Sequence, residues 1–148
     1  MVDKRNGIVL IVDDDEDFCC LMQMAFAEAQ VPNPIEIIPD GAAAINHLKS
    51  LGNTPRGLPS PPVLVLLDLR MPGVSGLEVL RWMRTEPRLA NVNVVVFTGM
   101  EEGAEVARAL QAQPSSLRIK PSSYRDLVRE AELLRDRYLV PGELKYAA

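Results

Sequence analysis

The most hydrophobic stretch of the chain reads Val63-Leu64-Val65-Leu66-Leu67-Asp68, five apolar residues followed directly by an acid. A short, continuous run of aliphatic residues is typical of a strand that is buried on both faces of a parallel sheet. In open α/β sheets, ligands bind outside the carboxyl ends of the strands. We therefore predict a central strand here, with a functional Asp68 at its carboxyl end.

Comparable apolar runs recur along the chain and alternate with stretches of helical period. This alternation is typical of βα units, in which helices cover both faces of a parallel sheet. We predict the other strands at residues 8–12, 35–38, 92–97 and 117–119. The predicted helices are a first one with Phe18, Leu21, Met22, Ala25 and Phe26 on its apolar face, and four more at residues 42–51, 76–85, 102–113 and 124–138. The sequence thus predicts a doubly wound α/β fold, with a proline-rich loop at residues 52–62.

Composition and charge narrow the class of protein. The 148 residues suit a single domain, with a core at about residues 7–139 and a tail at residues 140–148. A net charge of −4 without a basic cluster argues against a nucleic-acid surface. No signal-peptide pattern or apolar stretch of about 20 residues is present, so we expect a cytoplasmic protein that does not enter the membrane. The adjacent Cys19 and Cys20 are poorly placed to bridge, and we expect free thiols divided between core and surface.

Polar residues stand at the ends of four of the predicted strands. They are Asp13 and Asp14 after the first, Asp68 after the third, Thr98 after the fourth and Lys120 after the fifth. Three carboxylates in one crevice repel each other unless a cation lies among them, and Mg²⁺ suits such oxygen ligands when a phosphate completes its shell. A lysine and a hydroxyl beside the metal can stabilise a phosphoryl group, and a carboxylate can accept one as an acyl phosphate. Asp68 is the natural nucleophile.

Other conspicuous residues have ordinary structural explanations. The acids at residues 15–17 suit the N-terminus of the first helix, where the helix dipole favours negative charge. His47 lies within a predicted helix away from the strand ends, so we interpret it as structural. Trp82 follows the helical period poorly, and we expect either a half-buried aromatic or an exposed partner contact. The methionines that we expect to fill the core are Met22, Met24 and Met83.

Four motifs, in order, resemble the receiver family of two-component response regulators. They are IVLIVDDD at residues 8–15, LLDLRMPGVSGLE at 66–78, VVVFTG at 94–99 and IKP at 119–121. The resemblance covers roughly residues 7–139. It implies a flavodoxin-like (βα)₅ fold with a five-stranded parallel sheet in the order 2-1-3-4-5. The spacer at residues 52–62 and the long final helix look more like the single-domain, phytochrome-linked type than the short chemotaxis type.

The resemblance also implies a metal site. Asp68 would be the phosphoacceptor, and Asp14 and Asp68 would bind Mg²⁺, with Mn²⁺ as the alternative ion, through their side chains. Asp13 would assist, often through water, and the backbone carbonyl of Arg70 would complete the protein ligands.

The phosphoryl group and its switch involve further residues. By resemblance, Lys120 would hold a phosphoryl oxygen, and Thr98 would move toward the same group. Lys120-Pro121 is similar to a cis peptide of the family that aims the lysine inward. Family members usually carry Tyr or Phe three residues before the lysine, whereas this chain has Leu117, and Ser122 replaces a residue that is commonly apolar. The chain therefore lacks the aromatic side chain that, in the family, swings inward as the threonine moves.

Arg70 and Met100, two positions beyond Asp68 and Thr98, lie where receiver domains tune the lifetime of the acyl phosphate. A bulky pair would restrict the attacking water, so we predict slow self-dephosphorylation.

Three functions follow from these motifs. The first is a phosphoacceptor switch, not an enzyme beyond self-phosphorylation and self-dephosphorylation, which receives its phosphoryl group from a sensor histidine kinase or histidine phosphotransfer protein. Its output would be contact with a downstream protein or dimerisation with itself. The second is a phosphorylation-independent scaffold, which Leu117 and Ser122 favour and the complete acidic cluster opposes. The third, an aspartyl-phosphate phosphatase, needs a second carboxylate two residues after the nucleophile, where Arg70 stands.

Overall fold

The computed structural model describes residues 6–52, 60–99 and 103–139. The strands are β1 (Val9–Val12), β2 (Ile35–Ile38), β3 (Leu64–Asp68), β4 (Asn93–Thr98) and β5 (Ser116–Ile119). The α-helices are α1 (Glu16–Glu28), α2 (Gly41–Gly52), α3 (Gly76–Thr85), α4 (Ala104–Gln111) and α5 (Tyr124–Leu134). A π-helical segment, Arg135–Leu139, continues directly from α5.

All strands are parallel and form one sheet in the order β2-β1-β3-β4-β5. The predicted fold class and strand order are therefore confirmed. Strand β3 lies in the centre, and each of its five residues is buried. Its register brings Val12 beside Leu67 and Asp68 beside Phe97. The residues that follow β1 and β4 consequently reach the same edge of the sheet as Asp68.

Side chains of the central strands alternate between two cores. Val9 and Ile11 of β1 face the core that α1 and α5 cover, whereas Leu10 and Val12 face the core that α2, α3 and α4 cover. Successive residues of a strand point to opposite faces, so a strand between two helical layers must be apolar throughout. This double burial explains why the strand sequences are continuous apolar runs.

Helix α1 begins at a capping residue in the acidic cluster. The side chain of Asp15 accepts a hydrogen bond from the amide of Phe18, at 3.1 Å, and Glu16 and Asp17 occupy the first turn. This confirms the interpretation of residues 15–17 as helix N-terminal acids, whose charge the macrodipole favours.

The apolar face of α1 differs from the prediction. Its buried residues include Cys19, whereas Leu21 is 41% exposed and Met24 is 53% exposed. The expectation that both would lie in the core was wrong, because at 3.6 residues per turn they fall outside the stripe that faces the sheet. Cys20 is exposed, so the two cysteines divide between core and surface as expected.

Other boundaries shift by a few residues. The helix predicted at 124–138 is α-helical only to Leu134, and α4 begins at Ala104 and ends at Gln111. His47 is half-buried, with Nε2 3.2 Å from a carboxylate oxygen of Glu36, and Trp82 is half-buried against the core. Within the described ranges, no helix is both long and apolar enough to cross a bilayer. The predicted tail at 140–148 and most of the predicted loop at 52–62 lie outside the described residues.

Candidate functional site

Three carboxylates meet at the carboxyl edge of the sheet. Asp13 and Asp14 directly follow β1, and Asp68 is the last residue of β3. One oxygen of each side chain lies within 4.8 Å of the others. Asp13 and Asp68 are buried, whereas Asp14 is exposed. The neighbouring register of β1 and β3 thus brings together the acids that the sequence predicted to converge.

Lys120 lies among these acids. Its Nζ is 2.8 Å from Oδ2 of Asp13 and 3.8 Å from Oδ2 of Asp68. The backbone amide of Lys120 donates a hydrogen bond to the carbonyl of Thr98 at 2.7 Å, which extends the β4–β5 ladder by one residue. The backbone hydrogen bonding between β4 and β5 therefore positions Lys120 beside the carboxylates.

The charge of Asp68 is unfavourable in this setting. Burial, and next the adjacent Asp13 carboxylate, raise the pKa of Asp68 to about 6, although Lys120 and a hydrogen bond from the Arg70 amide act in the opposite direction. The positive charge of Lys120 alone therefore does not compensate for the burial of ionised Asp68 and its repulsion by Asp13. The cluster offers oxygen ligands only, one of them from exposed Asp14, and this donor set fits a hard divalent cation.

Thr98 lies on β4, the strand next to the one that ends on Asp68, and Leu117 lies on β5, the strand beyond it. Thr98 ends β4 and is buried. Leu117 pairs with Val96 across the β4–β5 ladder and is half-buried against the core under α2, α3 and α4. The position where the family usually has an aromatic ring therefore holds an aliphatic side chain that packs against this core.

The loop after Asp68 connects the site to two helices. The guanidinium Nε of Arg70 lies 3.2 Å from Oε2 of Glu105 in α4, and both side chains are exposed. At the start of α3, Ser75 and Glu78 form a reciprocal capping box with hydrogen bonds of 3.2 and 3.1 Å. The loop is thus anchored at both of its ends.

Two sequence expectations have different outcomes. We expected a cis peptide at Lys120-Pro121, but no cis peptide bond occurs in the described part of the chain, which includes both residues. The expectation was wrong, and the physical reason is that a trans bond is intrinsically favoured while the hydrogen bond to Thr98 already directs Lys120 to the site. Pro121 itself is half-buried. Met100 lies outside the described residues, so its predicted tuning role stays a prediction.

One residue at the site was not predicted as such. The ring centroid of Phe18 lies 4.4 Å from Nζ of Lys120. The sequence placed Phe18 only on the apolar face of α1. Its place in the first turn of α1, four residues after Asp14 at the carboxyl end of β1, was the available signal.

The chain is similar to known proteins in both sequence and structure. The family model described as response regulator receiver domain matches residues 9–132. The chain is 36% identical over 132 residues to the probable methanogenesis regulatory protein FilR2 of Methanothrix harundinacea, covering 89% of this chain and 83% of that protein. It is 28% identical over 144 residues to response regulator Rcp1 of Synechocystis, covering 94% and 95%.

Two solved structures are also similar. The phosphorylated cyanobacterial phytochrome response regulator RcpA superposes with a TM-score of 0.79 at 25% identity, covering 90% of this chain and 94% of that one. The Mn²⁺-bound form of Rcp1 superposes with a TM-score of 0.76 at 26% identity, with the same coverage.

Proposed function

Since this chain belongs to the response regulator receiver family of two-component signalling, we propose that it is a switch that accepts a phosphoryl group on Asp68. The observation that carries the proposal is the position of Asp68 at the end of the central strand, within 4.8 Å of carboxylate oxygens of Asp13 and Asp14 and 3.8 Å from Nζ of Lys120. Receiver domains accept phosphoryl groups from histidine kinases. The proposed domain core spans residues 7–139.

The proposed metal is Mg²⁺. Asp14 and Asp68 would hold it through their side chains, with Asp13 assisting and the carbonyl of Arg70 as a further ligand. The ion would supply positive charge to the phosphoryl oxygens and to the crowded carboxylates. The oxygen-only cluster and the Mn²⁺-bound form of the relative Rcp1 support a divalent cation here, and Mn²⁺ is the alternative.

The residues of the chain have distinct roles in the proposed transfer. A carboxylate oxygen of Asp68 attacks the phosphorus of the donor, and the bond from phosphorus to the donor breaks with its electron pair leaving on the donor atom. The product is an acyl phosphate on Asp68. The ammonium of Lys120 and the hydroxyl of Thr98 donate hydrogen bonds to phosphoryl oxygens, where negative charge must be stabilised.

The proposed output is protein contact. A sensor histidine kinase or a histidine phosphotransfer protein would donate the phosphoryl group, and the modification would raise the population of an active conformer. A downstream protein, or a second copy of this chain, would then bind the altered surface. We propose neither nucleic acid nor membrane as a partner.

The test is phosphorylation by a small donor. Incubation with acetyl phosphate and Mg²⁺ is expected to add one phosphoryl group, measured by intact-protein mass spectrometry, and chelation of the metal is expected to prevent it. Asp68→Asn removes the nucleophile at nearly constant shape and is expected to stay unmodified. A folded wild-type chain that remains unmodified with acetyl phosphate, and also with beryllofluoride, would contradict the switch and favour the phosphorylation-independent scaffold, for which Leu117 is the supporting feature.

The lifetime of the acyl phosphate provides a further prediction. Arg70→Ala is expected to speed the loss of the phosphoryl group from Asp68 about three- to tenfold, equivalent to about 0.7–1.4 kcal/mol in the barrier. The reason is that the guanidinium stands two residues beyond Asp68 and is held toward α4 by Glu105, where it restricts the approach of water. Loss of label is followed after removal of the donor.

Glu105→Ala is the matched control, because it releases the guanidinium without removing it and is expected to have the smaller effect. This tuning would be ruled out if the wild type lost its phosphoryl group rapidly and Arg70→Ala did not change that rate. The same result from the double variant Arg70→Ala, Met100→Ala would also rule it out.

A further inference from the structure

The ammonium of Lys120 has an aromatic neighbour in addition to its carboxylates. Nζ lies 4.4 Å from the ring centroid of Phe18, within the range over which a cation is attracted to the face of an aromatic ring. The side chain of Lys120 is only 18% exposed, so most of it is withdrawn from solvent. We propose that Phe18 is a positioning residue that holds the Lys120 ammonium beside Asp68. This inference rests on the function proposed above.

The ring of Phe18 is itself held from several sides. Its residue is buried in the core between the sheet, α1 and α5. The ring contacts that of Phe97 with centroids 5.8 Å apart, and Phe97 directly precedes Thr98 in β4. The backbone amide of Phe18 donates to the capping side chain of Asp15. A ring fixed in this way provides a rigid wall for a long and flexible lysine.

The contacts of Lys120 explain why a neutral partner is useful. The ammonium is closer to Asp13 than to Asp68, at 2.8 Å against 3.8 Å. A divalent cation bound by Asp13 would compete with the ammonium for that carboxylate. It would not compete for the uncharged face of Phe18. The ring therefore keeps the ammonium at the crevice when the acids are engaged, ready for a phosphoryl oxygen on Asp68.

The kinetic test compares two phenylalanines of the same helix and core. Phe18→Leu is expected to lower the rate of phosphorylation by acetyl phosphate about three- to tenfold at saturating Mg²⁺ and donor, the range of a partly desolvated cation–π contact. Phe26→Leu removes a ring that is fully buried in the same cluster, and it is expected to lower the melting temperature without changing this rate. Equal rates for the two variants would overturn the inference.

A double-mutant cycle tests whether the effect acts through the lysine. In the Lys120→Ala background, Phe18→Leu is expected to cause no further loss of rate, because the group that it positions is absent. Its effect on the melting temperature should persist in that background. A rate loss of the same factor in both backgrounds would assign Phe18 a purely structural role and overturn the proposal.

Nuclear magnetic resonance gives a readout that needs no phosphorylation. In the metal-free protein, the ring is expected to shift the Hε resonances of Lys120 upfield from their position in the urea-unfolded chain, with assignment by loss of the peak in Lys120→Arg. Phe18→Leu is expected to remove this shift and Phe26→Leu to retain it. A Lys120 resonance without an upfield shift in the wild type would overturn the inference. A shifted resonance in a chain that acetyl phosphate does not modify would contradict the proposed function and leave the positioning intact.

Discussion

Lys120→Ala is expected to lower the rate at which Asp68 accepts a phosphoryl group by about 10²–10³-fold, the loss typical of removing one preorganised donor from a developing anion. The ammonium is the cationic side chain that the described structure brings within 4 Å of both Asp13 and Asp68. Without it, the transferring group would meet the uncompensated charge of the carboxylates. The affected quantity is the maximal rate, because the lysine acts on charge that develops during transfer.

The same substitution is expected to tighten the binding of Mg²⁺ by about tenfold, because it removes a positive charge that lies 2.8 Å from Asp13 and 3.8 Å from Asp68. Loss of function and gain of metal affinity in one variant would distinguish a catalytic ammonium from a structural one. If Lys120 were needed only for folding, its substitution would lower both the rate of phosphoryl transfer and the affinity for Mg²⁺.

The measurements are the initial rate of mass gain with acetyl phosphate and a titration of thermal stability with Mg²⁺. Lys49→Ala is the matched control, since Lys49 is exposed on α2, Nζ 6.0 Å from the ring centroid of Trp82, and belongs to a different surface. It is expected to change neither quantity. A Lys120→Ala protein that accepts the phosphoryl group at the wild-type rate would contradict the assignment.

The fold was predictable because the strands of a doubly wound sheet carry their information locally. The run that ends on Asp68 is buried on both faces, so its residues are all apolar and do not alternate with polar ones, and this pattern identified the strand. The ends of the predicted strands differ from those of the observed strands by one residue at most. The order of the motifs gave the family, which the match over residues 9–132 confirms. The convergence of the acids and Lys120 followed from strand polarity alone, because all carboxyl ends of a parallel sheet lie on one edge.

Features that depend on side-chain direction or on competing backbone states were not predictable in this way. Leu21 and Met24 are apolar residues on the exposed side of α1, and hydrophobicity alone does not distinguish them from core positions. The contact between Phe18 and Lys120 joins helix α1 to the end of β5. The periodicity of hydrophobic residues within a helix or strand does not predict a contact between two such distant residues. The peptide bond before Pro121 is trans, unlike the cis peptide that the resemblance implied, and the sequence around a proline does not distinguish the two states.

The tight junction between the central strand and the next helix leads to the second large effect. Gly76 is the first residue of α3, and its amide donates to the carbonyl of Leu69 at 3.0 Å. A Cβ atom added there would overlap the backbone carbonyl group of Asp68 and lie 2.9 Å from Cα of Leu69. These atoms belong to the end of β3 and the residue after it, which cannot move without disturbing the site.

Gly76→Ala is therefore expected to lower the free energy of unfolding by about 3 kcal/mol or more. A loss of this size is expected when an added atom overlaps backbone atoms that cannot move away. Two glycines of neighbouring loops are matched controls. Gly73 has a φ of +78° and open space around it, so Gly73→Ala should cost about 1 kcal/mol through backbone strain alone. Gly99 has open space and no such φ, so Gly99→Ala should stay within about 0.5 kcal/mol of wild type.

Urea unfolding followed by circular dichroism measures all three variants on one scale. The expected order of stability is Gly99→Ala, then Gly73→Ala, then Gly76→Ala, with the last either unfolded or far below the others. If Gly76→Ala were as stable as Gly99→Ala, α3 could not begin against the backbone of Asp68. In that case the strand end would be free to shift, and the fixed position of the Asp68 carboxylate, on which both Lys120 and the proposed metal depend, would lose its structural basis.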